Sequence, residues 1–129
     1  MDEEIKKTVY AYIILPFVLT IFQRYLEIFR EGKYKAKGPY LDKIETIISC
    51  IQDDLNAVKK QLYSNYHLKV RNLGKRNGQI RFDWQSQTDS GDLRFDPEEL
   101  RALTEDMMAL YLYGFLTRPP VQKERIWDV

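Results

Sequence analysis

The sequence predicts an α+β fold, mostly helical, with three main helices and a small antiparallel β-hairpin or meander between the second and the third. Two long windows carry apolar residues at helical spacing. The window 67–95 alternates with a period of two, and "DPEEL" at 96–100 restarts a helix. For 129 residues the expectation is one domain, 1–129. A chain of this size buries roughly two thirds of its unfolded surface, enough for a core without covalent staples. Hydrophobic residues make up 44% and charged residues 30%, which fits a soluble globular chain rather than a disordered one.

Residues 2–31 read as one long helix. Its first half, "TVYAYIILPFVLTIF", is apolar on all sides, whereas "QRYLEIFREG" is amphipathic. In that second half Phe22, Tyr25, Leu26 and Phe29 share a face that Gln23, Arg24, Glu27 and Arg30 avoid. Pro16 lacks an N–H and crowds the turn before it, so a kink or break is expected near residues 12–16. Gly32 is expected to stop the helix. The apolar run 9–22 is 14 residues long. That makes about 21 Å of helix against roughly 30 Å of hydrocarbon. Asp2, Glu3 and Glu4 precede it, where a secretion signal carries positive charge, and no small-x-small cleavage site follows. The expectation is a buried or partner-facing helix rather than a membrane span.

"KYKAKGP" at 33–39 reads as a basic linker. The second helix, 40–64, is amphipathic, with Ile44, Ile47, Ile48, Ile51, Leu55, Val58 and Leu62 recurring at three and four. Its acids come early and Lys59 and Lys60 come late, as the helix dipole favours. Cys50 is the sole cysteine, so an intrachain disulfide is impossible. It reads as a small apolar residue on the buried face of a protein from a reducing, cytoplasmic compartment.

Two hairpin registers compete within 67–95. A two-residue Asn77–Gly78 turn is the stronger local signal. It sets, however, Arg71 opposite Trp84 and Lys75 opposite Ile80. A five-residue "GKRNG" loop instead pairs Val70 with Phe82 and Leu68 with Trp84, and it is preferred because a buried face fixes register. Leu68, Val70, Ile80, Phe82 and Trp84 then face inward, with Lys69, Arg71, Arg81 and Asp83 outward. "LRFD" at 93–96 suggests a third strand with Leu93 and Phe95 inward. The last helix is expected over 97–116, with Asp96 as its cap, Pro97 at its first position, and Glu98 and Glu99 at its positive end. A tail, 117–129, follows.

Little catalytic chemistry is on offer. His67 is the only histidine, which removes His-based triads and paired-histidine metal sites. It reads as a surface residue at a helix–strand junction. "GKRNG" lacks the spacing of a phosphate-binding loop. The acidic pairs Asp53–Asp54, Glu98–Glu99 and Glu105–Asp106 diverge by about 100° on a helix and read as solvated charge. No cofactor, metal or catalytic residue is expected, and the chain reads as non-enzymatic.

Charge is distributed unevenly although the net is only +1. From residue 55 to 82 there are seven bases and no acid; from 83 to 106 there are eight acids against Arg94 and Arg101. Lys69, Arg71, Lys75, Arg76 and Arg81 thus form a candidate contact for nucleic acid or for a protein, unless they only offset the acidic stretch. The apolar excess of the first and last helices gives a second candidate, an oligomer surface of Tyr12, Phe17, Phe22, Met108, Leu112 and Phe115. The leading expectation is an interaction or regulatory protein that binds a protein partner or itself, as a homodimer. A nucleic-acid-binding regulator using the hairpin 66–81 is the runner-up, and a membrane-attached accessory protein comes third.

Overall fold

A computed structural model of the chain describes residues 2–32, 38–114 and 116–117. The elements follow in the order α1 (Glu3–Glu31), α2 (Gly38–Ser64), β1 (Lys69–Arg76), β2 (Gln79–Gln85), β3 (Ser90–Phe95) and α3 (Pro97–Leu112). The strands form an antiparallel meander of order β1-β2-β3, placed between the second and third helices. The linker residues 33–37, Phe115 and the tail from residue 118 lie outside the described residues.

α1 begins where the Asp2 carboxylate accepts a hydrogen bond from the Glu4 N–H at 3.0 Å. Val9, Ile13, Ile14, Leu15, Val18 and Phe22 are buried, and no residue from 8 to 15 is exposed. Both α2 and α3 pack along this helix. Tyr10 meets Phe95 of β3 edge to face, with ring centroids 5.5 Å apart. Pro16 does not end α1, which runs on to Glu31. Pro16 is exposed while Leu15 and Val18 beside it are buried, so packing on both sides holds the helical path past the missing N–H. Gly32 ends α1, its N–H donating to the Ile28 carbonyl at 3.0 Å.

α2 starts at Gly38, two residues before the expected 40. Pro39 therefore lies in the first turn rather than in the linker, a place where its missing N–H costs nothing. The end of α1 meets the start of α2: Phe29 stacks on Tyr40, and Arg30 pairs with Glu45 at 3.1 Å. The two helices are thus antiparallel. The isoleucine stripe of α2 is buried as its spacing predicts, and so is Cys50. Past the end of α2, His67 takes the left-handed conformation at φ 48°, and the Leu68 N–H donates back to the Leu62 carbonyl at 3.0 Å. His67 is exposed, in keeping with a surface residue.

The preferred hairpin register is overturned. Asn77 and Gly78, at φ 53° and 77°, form the two-residue turn that closes Arg76 on Gln79. Val70 pairs with Trp84 and Asn72 with Phe82, rather than Val70 with Phe82 and Leu68 with Trp84. A β-bulge between Asn72 and Gly74 reconciles the turn with the apolar face. It leaves Leu73 as an extra residue, so parity is restored and Arg71 falls opposite Asp83 instead of Trp84. The Gly74 N–H donates to Asn72 Oδ1 at 2.8 Å, and Gly74 takes φ 81°, a value that suits a residue without a Cβ. Phe82 and Phe95 are buried, while Val70, Ile80, Trp84 and Leu93 are half-buried against the core.

α3 is shorter than expected, ending at Leu112 rather than 116. Asp96 stands at its N-cap, but its side chain does not cap. The carboxylate instead accepts from Gln79 Nε2 at 3.3 Å, tying the helix start to β2. At the other end the fully buried Tyr111 donates its phenol hydrogen to Asp54 Oδ2 at 2.6 Å, linking α3 to α2. Asp54 therefore does more than carry solvated charge.

Two substitutions check this packing. Trp84 lies opposite Gly91, and a Cβ at Gly91 would meet the indole ring at 2.6 Å. Gly91→Ala should destabilise the fold by about 1–3 kcal/mol in urea unfolding. Tyr111→Phe keeps the ring but removes a hydrogen bond to a carboxylate, and should cost about 1.5–3 kcal/mol by the same measurement.

Candidate functional site

Among the described residues no group of His, Cys, Asp and Glu is placed to hold a metal ion. The two candidate regions are the outer face of the sheet and the open apolar surface of the helices.

The ladder decides which way the hairpin cations point. Side chains alternate across a strand, so Lys69, Arg71, Arg76 and Arg81 share the outer face with Asp83, Asp92 and Arg94. Lys75, opposite Ile80, falls on the other side at the hairpin tip. On the outer face like charges stand directly opposite, Arg81 with Arg94 and Asp83 with Asp92. Pairing with other neighbours offsets that arrangement. Arg71 holds Asp83 with two bonds of 3.0 and 2.5 Å. Asp92 lies 3.1 Å from Arg94 and 3.9 Å from Arg81. Two of the five hairpin cations are thus engaged by acids of the 83–106 stretch. Lys69, Lys75 and Arg76 are exposed and make no ion pair among the described residues.

The Arg71–Asp83 pair also shows in ionisation. The hydrogen bond from Arg71, with its positive charge, holds the Asp83 carboxyl below its ordinary range against a smaller opposing effect of desolvation. The same bond raises Arg71.

The predicted oligomer residues scatter. Phe22 has no exposed surface: it belongs to the core and offers nothing to a partner. It shares a face of α1 with Leu26 and Phe29, and Phe29 stacks on Tyr40 of α2. Tyr12, Phe17 and Met108 are half-buried, and Leu112 is 44% exposed. Phe115 lies outside the described residues. The apolar surface left open centres elsewhere, on Tyr25 (41% exposed) and Ile28 (57%) of α1 and on Tyr40 (61%) of α2. With half-buried Phe17 and Ile21 they continue a stripe along α1 at spacings of four, four and three. A second open set, Leu110, Leu112 and Tyr113, lies at the end of α3. The sequence did hold a signal for the stripe, since Ile28 falls off the core face of its own helix.

A protein-family model described as YhjD protein matches residues 1–116, which takes in all three helices and the sheet. The chain belongs to the YhjD protein family. That description names no activity, ligand or partner. No curated protein and no solved structure matches the chain. What this member of the YhjD family can bind is therefore read from its own surfaces.

Arg71→Ala should let the Asp83 carboxyl rise toward its ordinary value, followed by NMR titration. The sign is fixed. A carboxyl held low in the folded state adds stability above its unfolded value, and that stability is lost as pH falls through the lowered one. In acid, Arg71→Ala should thus lose less stability than the wild type.

Proposed function

We propose that the protein is a non-enzymatic, cytoplasmic interaction or regulatory protein that binds a protein partner through apolar helical surface. The observation that carries this reading is the stripe of Phe17, Ile21, Tyr25 and Ile28 on α1, with the open Tyr40 of α2 stacked on Phe29 of the same helix. Tyr25, Ile28 and Tyr40 are large apolar or aromatic residues, each more than two fifths exposed on rigid helices. Tyrosine with aliphatic neighbours suits the centre of a contact, because it brings area at small entropic cost. By length and composition α1 also qualifies to cross a membrane, with a mean hydropathy of 1.6 over 18 residues. Its packing favours the soluble reading. The neighbouring α2 exposes Gln52, Asp53, Asn56, Lys59 and Lys60, and a spanning α1 would have to leave that neighbour.

A second reading, contact with nucleic acid, rests on Lys69, Lys75 and Arg76, the hairpin cations that make no ion pair among the described residues. It is weakened by the engagement of Arg71 and Arg81 with Asp83 and Asp92.

The two readings separate in one set of variants. Tyr25→Glu with Ile28→Glu should keep the fold, judged by circular dichroism, and lose the protein that co-purifies with the tagged wild type from its own cells. Lys75→Glu with Arg76→Glu should retain that protein. A stripe variant that binds everything the wild type binds would refute the leading reading. Salt-sensitive retardation of DNA or RNA, abolished by the hairpin variant, would install the second.

A further inference from the structure

We infer that the occupant of the α1 stripe is a second copy of the same chain, laid antiparallel across a two-fold axis near residues 25–26. This rests on the reading of the stripe as a protein contact and names the partner. Charge complementarity selects this occupant. Arg24 and Glu27 are exposed one turn apart beside Tyr25 and Ile28, and neither makes an ion pair among the described residues. In an antiparallel pair each flank of one helix faces the same flank of the other. An axis near residues 25–26 therefore brings Arg24 of one copy to Glu27 of its mate, twice over. A parallel pair would set the flank that carries Arg24 and Glu27 against the opposite flank of its mate, and neither charge would meet its complement. A two-fold contact must be complementary to itself, and this short segment, with one cation, one anion and apolar residues between, meets that condition. The same axis brings Tyr25 close to its own symmetry mate and sets Ile21 and Ile28 along partner residues 30 and 23, so the overlap covers the stripe from Ile21 to Ile28 and leaves Phe17 past the end of the partner's α1.

Cysteine cross-linking tests the geometry directly. Cys50 is buried, so an introduced cysteine is the accessible thiol of the described residues. Tyr25→Cys should form a covalent dimer on mild oxidation of the full chain. Phe17→Cys should not, because an axis near residue 25.5 holds the two positions 17 about 25 Å apart along the helices. Arg24→Glu or Glu27→Arg alone should weaken self-association by about tenfold, since each sets like charges face to face. The double exchange, Arg24→Glu with Glu27→Arg, should restore it, a rescue that damage to the fold cannot produce. Wild type should scatter light as a dimer at micromolar concentration. A monomer at that concentration overturns the inference; if the stripe variant still loses a different protein, the reading of the stripe as a contact survives alone. Cross-linking at Phe17→Cys as fast as at Tyr25→Cys overturns the antiparallel arrangement. Stripe-dependent binding to lipid vesicles by a monomer overturns both.

Discussion

A helix with apolar side chains on every side is stable in water only when every side is covered, and residues 8–15 of α1 impose that demand on the rest of the chain. α2 lies along one side, α3 along another, and Phe95 of the sheet meets Tyr10. Burying a Val, Ile, Leu or Phe side chain contributes about 1.5–3 kcal/mol. The six buried apolar side chains of α1 are therefore a large share of the driving force for any fold of this size. The sheet has one face on the core and needs no second layer, which fits its charged outer side.

The helices were legible because their signals are local and redundant. The isoleucines of α2, the restart at Asp96–Pro97 and the stop at Gly32 all mark their elements in the sequence. The hairpin register was not legible, and the reason is specific. Turn chemistry argues for Asn77–Gly78, and the apolar pattern argues against it in any ladder without a bulge. One extra residue at Leu73 satisfies both. The marks of the bulge, an Asx residue two places before a glycine, are weak beside either of the signals they reconcile.

The surfaces were legible only in part. The basic run 55–82 and the acidic run after it are plain in the sequence. Whether they repel a neighbour, attract a ligand or meet each other is a matter of strand pairing. Arg71 and Asp83 stand twelve positions apart in the chain and directly opposite in the ladder. The apolar candidates suffered from the same limit. Composition identified α1 as having more apolar surface than one seam can use, but only packing separates Phe22, which is enclosed, from Tyr25 and Ile28, which are not.

The order of the covers along the chain has a consequence for synthesis. The ribosome releases α1 first, and α2 can fold back on it as an antiparallel hairpin of helices soon afterwards. α3 comes last of the elements. Until residue 111 has emerged, one flank of the greasiest helix has no cover, and Asp54 lacks its phenol partner. Contacts between α1 and α3 close a loop of most of the chain, the slow kind of event in folding. The nascent protein thus passes through a stage in which its first helix is exposed to whatever binds apolar helices at the tunnel exit, and docking of α3 is the step that removes it from that competition.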